Sequence, residues 1–293
     1  MEKIASPQGT KDLLNKYPFV FQKKFGQNFL IDTHVLGKII DAAEITKEDC
    51  VLEIGPGIGS VTEELIEHAG KVIAVEIDKQ LIPILEEQFG QKENFRLIHQ
   101  DILKVDLKKL IEEESPNKRI KVVANLPYYI TTPIIMHLLE NELPIESITI
   151  MVQKEVADRL SSPPGNKQYG AITVAVNYYA KPYLVANVPR NCFMPRPNVD
   201  SAVLRLTLNE TSGVEVNNRA QLFKIIKASF LQRRKTLLNA LAANADLGLP
   251  KEELKTLLED SHVGASTRGE TLSLQEFARL SDYIDAFRTQ KKS

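Results

Sequence analysis

The chain has 293 residues, 43% of them hydrophobic, and a formal net charge of −1, enough apolar material for one sizeable domain and a smaller one. No apolar run approaches the roughly 20 residues of a membrane helix, and the start, MEKIASPQGTKDLLNKY, lacks the apolar centre of a signal peptide. A soluble cytoplasmic protein with no membrane partner is therefore expected, and Cys50 and Cys192, the only cysteines, stand too far apart to predict a disulfide framework or a metal site.

Taken in chain order, short apolar runs alternate with helical patterns through the first two thirds. CVLEIG (50–55), KVIAVEID (71–78), FRLIHQD (95–101), KVVANL (121–126) and SITIMVQ (147–153) each read as a strand covered on both faces. Between them lie a helix from near Ser60, a second in KQLIPILEEQF, and a third in TPIIMHLLE with Pro133 in its first turn. Strand and helix in alternation predict an α/β fold, a parallel sheet wrapped by helices. AITVAVNYYA (171–180) and SAVLRLTL (201–208) read as two further strands that complete the sheet. SSPPGNKQYG (161–170) reads as an exposed loop.

Beyond Leu208 the pattern is purely helical. Phe223, Ile226, Phe230, Leu237 and Leu241 share one helical face, Pro250 opens a second helix, and Ser273 with Glu276 forms a capping box for a third. The boundary is placed there, giving domains 1–208 and 209–293. From Arg219 to Lys235 six basic residues occur with no acidic one. The near-neutral total argues mildly against a nucleic-acid partner, but this local excess argues for one.

The first strand runs into Glu53-Ile54-Gly55-Pro56-Gly57-Ile58-Gly59. Glycines at a strand-to-helix turn allow a tight bend and close approach of a ligand to the backbone. The spacing is not that of a dinucleotide fingerprint, and a carboxylate beside it disfavours pyrophosphate while favouring a cation. Glu76, 21 residues beyond Gly55, ends the second strand where a carboxylate accepts hydrogen bonds from ribose hydroxyls. Asp101 ends the third, where it meets an adenine amino group. Each acid alone reads as a helix cap or solvated loop residue; three at adjacent strand ends outline one nucleoside crevice. The ligand that fits is S-adenosylmethionine, and the pattern resembles the Rossmann-like class I methyltransferase fold.

Asn125-Leu126-Pro127-Tyr128 ends the fourth strand. On its own it reads equally as an ordinary turn. Beside a methyl donor it reads as chemistry: the Asn125 side-chain oxygen and Leu126 carbonyl hold two N–H groups of an exocyclic amine, Pro127 fixes the backbone, and Tyr128 offers a stacking face. Tyr129 is read as structural.

The motifs KKFGQNFLID (23–32), VLEIGPGIGSVTEEL (51–65), AVEID (74–78), QDIL (100–103), NLPYYITTPI (125–134), MVQKEVADRL (151–160) and FMPRPNVDSAV (193–203) resemble the ribosomal RNA adenine dimethylase family over nearly the whole chain. The resemblance implies that Asn28, Leu30, Gly55, Glu76, Asp101 and Asn125 bind S-adenosylmethionine. It implies that Phe193 faces Tyr128 across the target base. It also implies dimethylation at N6 of two adjacent adenosines in the 3′-terminal hairpin loop of 16S rRNA, in the small ribosomal subunit or its precursor, with a role in subunit biogenesis; separately, a monomer without a metal is expected. Lys23, Lys24, Arg190 and Arg196 flank the expected pocket, and Lys224, Lys227, Arg234 and Lys235 lie on the helical tail; these are the candidate RNA contacts. Alternatives are large-subunit rRNA methylation conferring macrolide resistance and a binding factor for ribosome assembly or transcription.

Overall fold

The computed structural model describes residues 2–292, apart from the side chains of Lys23 and Lys292. In chain order its elements are α1 (Pro7–Asn15), β1 (Phe29–Leu30), α2 (Thr33–Ala43), β2 (Cys50–Ile54), α3 (Thr62–His68), β3 (Lys71–Glu76), α4 (Ile82–Phe89), β4 (Phe95–His99), α5 (Leu107–Glu114), β5 (Ile120–Asn125), α6 (Thr131–Glu140), β6 (Ile145–Gln153), α7 (Lys154–Leu160), α8 (Ala171–Tyr179), β7 (Ala180–Val188), β8 (Phe193–Met194), β9 (Ser201–Leu208), α9 (Arg219–Leu231), α10 (Leu237–Ala242), α11 (Lys251–Asp260) and α12 (Leu274–Lys292).

The chain divides into two compact units. The first takes Met1–Ala157 and Pro182–Leu208; the second takes Asp158–Lys181 and Asn209–Ser293. The second unit thus takes in Asp158–Lys181, which the sequence reading places in the first domain, as well as the stretch from Asn209.

In the first unit a seven-stranded sheet runs in the order β4-β3-β2-β5-β6-β9-β7. The strands from β4 to β6 are parallel, and β9 is antiparallel to β6, with Gln153 opposite Ser201. Every residue of β2 is buried, as expected for a strand with helices on both faces. Because β3, β2 and β5 are neighbours and parallel, their carboxyl ends open on one side, the position at which α/β sheets bind ligands. A separate ribbon pairs β1 with β8, Leu30 opposite Phe193. Local signals set the helix starts: Ser6 Oγ accepts from the Gly9 N–H at 2.9 Å with Pro7 following, and Asp32 Oδ1 accepts from the Val35 N–H at 3.0 Å.

The stretch AITVAVNYYA is the principal correction, since it forms helix α8 rather than a strand. Its β-branched residues favour a strand locally, but Val174 and Tyr178 sit in the core of the helical unit, and tertiary packing overrides so small a preference. The strand lies just beyond it: β7 contains Pro182, and as the end strand of the sheet it tolerates a residue with no N–H.

In the second unit, Ile226, Leu237 and Leu241 are buried in one cluster with Phe223 and Phe230 at its margin. The expected helical face is divided between α9 and α10, because the chain leaves the helix at Gln232 and restarts after Thr236, whose hydroxyl accepts from the Asn239 N–H. Pro250 precedes α11 as expected. The capping box of α12 forms, with Glu276 Oε2 accepting from the Ser273 N–H at 2.8 Å and Ser273 Oγ from the Glu276 N–H at 3.3 Å. The loop 161–170 is irregular, but its Tyr169 is buried and donates to the Leu272 carbonyl at 2.8 Å.

Candidate active site

A cleft opens at the carboxyl ends of β2, β3 and β5, walled by the segment Phe25–Leu30, the Gly55–Gly57 turn, Glu76, Ile77, Asp101, Ile102 and the stretch Asn125–Ile130. Gly55 has φ +67°, and a Cβ built on it would meet nothing within 4 Å. It faces open space in the cleft and leaves the backbone bare there. Gly57 also has positive φ, and its Cβ would lie 3.1 Å from the Phe29 ring, so a side chain would be strained and crowded.

Glu76 is buried and accepts from three main-chain N–H groups, of Gly57 at 3.2 Å and of Ile77 and Asp78 at 2.8 Å. Burial pushes its carboxyl up to about 7 although these donors pull the other way. Glu53 behaves differently from expectation. It lies beneath the turn, fully buried and outside the cleft lining, accepting from Thr62 Oγ1 at 2.7 Å. Burial, and then the neighbouring Glu76, push it up to about 8. Asp101 lines the cleft and also caps the turn after β4, accepting from the Leu103 N–H at 3.1 Å.

The chemistry of the lining tests the expected ligand. Among the described residues that line the cleft there are two carboxylates and no lysine or arginine. A phosphate would find no counter-charge there, whereas a nucleoside bearing a cation would. The bare backbone at Gly55 leaves the space such a ligand needs, so the residues fit S-adenosylmethionine. Three or more His, Cys, Asp or Glu side chains grouped to hold a metal do not occur among the described residues.

The segment ahead of β1 folds over this cleft. Gln27 Nε2 donates to the buried Asp78 carboxylate at 2.6 Å, and Gln27 Oε1 accepts from the Gln22 N–H at 2.8 Å. Asn28 turns its amide to the Gly26 carbonyl, while its own carbonyl accepts from Asn125 Nδ2 at 3.0 Å. Leu30 is buried in the core and reaches the lining from there. Gln27 and Asp78 escaped the sequence reading although both stand in the motifs it used; the signal available was an amide in FGQNFL and a second acid in AVEID.

A second groove adjoins the first and shares Gly26, Gln27, Asn28 and Tyr128 with it. Its other walls include Phe21, Gln153 and the Pro195–Val199 loop. Asn125 fixes its amide through Nδ2, which leaves Oδ1 as the acceptor; the Leu126 carbonyl receives no donor among the described residues. The Pro127 carbonyl instead accepts from the Ile130 N–H at 3.2 Å and from Thr131 Oγ1 at 3.0 Å, closing the turn. Tyr128 Oη lies 2.6 Å from Ser201 Oγ, and burial raises its phenol above the usual range. Phe193 is not brought to the groove. It is 3% exposed, because pairing of β8 with β1 turns it into the core.

The basic candidates are dispersed. Arg196 is exposed on the groove wall, and Lys24 is exposed beside the Phe25 ring. Arg190 donates to the Asn198 carbonyl at 3.2 Å and so braces its own loop. The side chain of Lys23 lies outside the described residues. Lys224, Lys227, Arg234 and Lys235 are exposed on the second unit. Arg233, within the same basic stretch, is occupied, donating to the Lys167 and Tyr169 carbonyls.

Comparison with known proteins gives the same answer from several sides. The family model of ribosomal RNA adenine dimethylase matches residues 19–285. Ribosomal RNA small subunit methyltransferase A of Lachnoclostridium phytofermentans is 60% identical over 286 residues, covering 97% of this chain and 99% of its own; that of Alkaliphilus oremlandii is 49% identical, with 97% and 99% covered. Among solved structures, a dimethyladenosine transferase from Plasmodium falciparum aligns with a TM-score of 0.75 at 28% identity, covering 90% of this chain and 98% of that one. The 23S rRNA methyltransferase ErmE aligns at 0.68 and 26%, covering 88% and 100%. With the match spanning the cleft, the groove and the helical unit alike, the chain belongs to the ribosomal RNA adenine dimethylase family.

Proposed function

We propose that this protein uses S-adenosylmethionine to place two methyl groups on N6 of each of two adjacent adenosines in the 3′-terminal hairpin loop of 16S rRNA. The observation that carries the reading is the wall common to cleft and groove, Gly26, Gln27, Asn28 and Tyr128. It joins an acidic, nucleoside-shaped site, whose lining includes the acceptors that an adenine amine needs, to a groove that shares Tyr128 with it.

In the cleft, Glu76 takes the ribose hydroxyls, Asp101 the adenine amino group, and the Gly55 backbone allows close approach; Asn28, Leu30 and Asn125 complete the lining. The bound cofactor supplies an electrophilic methyl carbon on a sulfonium. On the cleft wall that adjoins the groove, Asn125 Oδ1 and the Leu126 carbonyl hold the two amine hydrogens and aim the nitrogen lone pair. Pro127 keeps that carbonyl in place, and Tyr128 stacks on the base, which a loop adenosine yields at lower cost than a paired one. Water takes the proton lost from nitrogen, so no side chain need act as base.

The helical unit adds the RNA contact. Exposed Lys224, Lys227, Arg234 and Lys235, with Lys24 and Arg196 near the groove and Arg190 bracing its loop, meet phosphates of the folded subunit; Lys23 is assigned to the same task by sequence alone. The protein works in the cytoplasm as a monomer and aids small-subunit biogenesis. Large-subunit methylation is the less favoured reading, because the relatives at 47–60% identity carry the small-subunit name whereas the large-subunit enzyme is 26% identical.

Labelled methyl transfer to purified small and large subunits lacking the modification, with nucleoside analysis of the products, tests this. Dimethyladenosine in the small subunit alone is expected. Label in the large subunit, or in neither, overturns the assignment.

A further inference from the structure

Tyr129 stands next to the catalytic tetrapeptide and reads from sequence as a core aromatic, yet it is 58% exposed. Its backbone is well held, in the turn closed by the Pro127 carbonyl, so the exposure belongs to the side chain and not to a loose loop. The ring lines the cofactor cleft at its mouth, together with Ile77, itself 43% exposed. Across the mouth it reaches the segment ahead of β1: a Cβ on Gly26 would lie 3.6 Å from Tyr129 Cδ1. An aromatic ring and an aliphatic side chain therefore stand free at the rim of a site built for a planar nucleoside, and the ring borders the segment that covers it.

We infer that Tyr129 is a clasp for the nucleoside end of the cofactor, its ring covering the bound adenosine between Ile77 and the Gly26 turn. The inference rests on the reading of the cleft as an S-adenosylmethionine site. Burial, and then Asp101 and Glu76, raise the Tyr129 phenol above its usual range, which keeps it neutral beside the two carboxylates. Ile77 and Tyr129 gain apolar burial only when a ligand is present, so the clasp acts mainly on residence time.

The test uses the full-length protein and S-adenosylhomocysteine, with binding measured by calorimetry. Tyr129→Ala is expected to raise Kd about fivefold, the contribution of one aromatic contact, and Tyr129→Phe to stay within about twofold of the parent. The chain contains no tryptophan, so Tyr129→Trp gives a single reporter whose emission is expected to change on binding. Tyr183→Trp, on an exposed residue outside the cleft lining, is expected not to respond. An unchanged Kd for Tyr129→Ala, or a loss confined to the KM for RNA, overturns the clasp while leaving the cofactor site intact. Failure of the parent protein to bind S-adenosylhomocysteine overturns the cofactor reading and the clasp with it.

Discussion

Asn125 Nδ2 donates to the Asn28 carbonyl at 3.0 Å, so the end of β5 and the segment over the cleft hold one amide in one orientation. That bond commits Nδ2 to the covering segment and leaves Oδ1 as the amide's acceptor in the cleft lining. Asn125→Ala removes both the tether and the acceptor, and single-turnover methylation should slow roughly hundredfold or more. Binding to immature small subunits should persist, and growth of cells carrying the variant separates the catalytic role from any assembly role.

Glu76, proposed to take the ribose hydroxyls, should make cofactor binding pH-dependent. Its carboxyl, pushed up to about 7 by burial, holds a proton in the free protein below that pH, whereas hydroxyl donors and a nearby cation favour the ionised form. Affinity for S-adenosylhomocysteine should therefore tighten from pH 6 to pH 7 and level off above. Calorimetry at pH 6.5 in buffers of different ionisation enthalpy should register proton release on binding.

Glu53 gives stability the opposite slope. Its folded value of about 8 lies above the 4.5 of a free carboxyl, so between these limits the folded chain keeps a proton that the unfolded chain has lost. The cofactor-free protein should lose stability as pH rises through that window. Thermal unfolding of Glu53→Gln at pH 6 and pH 8 should show a smaller difference than the parent.

The 2.6 Å contact of Tyr128 Oη with Ser201 Oγ ties the Tyr128 ring to β9, the strand on the far side of β6. Ser201→Ala and Tyr128→Phe should each lower kcat several-fold with the cofactor Kd unchanged. Because both remove one contact, the double variant should be little worse than either. Additive losses would show that the two hydroxyls act separately.

Much of the cleft is legible in sequence because the buried strands β2, β3 and β5 are mainly apolar runs, and the residue that closes each run lines the cleft: Gly55, Glu76 and Asn125. Asp101 also lines it but follows the edge strand β4, none of whose residues is buried, contrary to the expectation of a strand covered on both faces. The helical unit is legible where capping chemistry is local, as at Ser273 and Glu276. Residues 171–188 are not: the preference of AITVAVNYYA for a strand is real, and only burial of Val174 and Tyr178 among other helices reverses it. The Gln27–Asp78 bond and the Tyr128–Ser201 contact join residues 51 and 73 positions apart, which no local pattern reveals. Phe193 marks the same limit from the other side, since an aromatic beside Met-Pro-Arg-Pro serves equally as a stacking face or as an anchor.

The wall of Gly26, Gln27, Asn28 and Tyr128 belongs to two cavities at once. A substitution that changes the volume or backbone of this wall alters the lining of both cavities together. The Pro195–Val199 loop borders the groove alone, so a substitution there alters the groove and leaves the cleft lining as it is. For the same reason, a compound that joins a nucleoside to a base analogue across this partition would engage both cavities as one site.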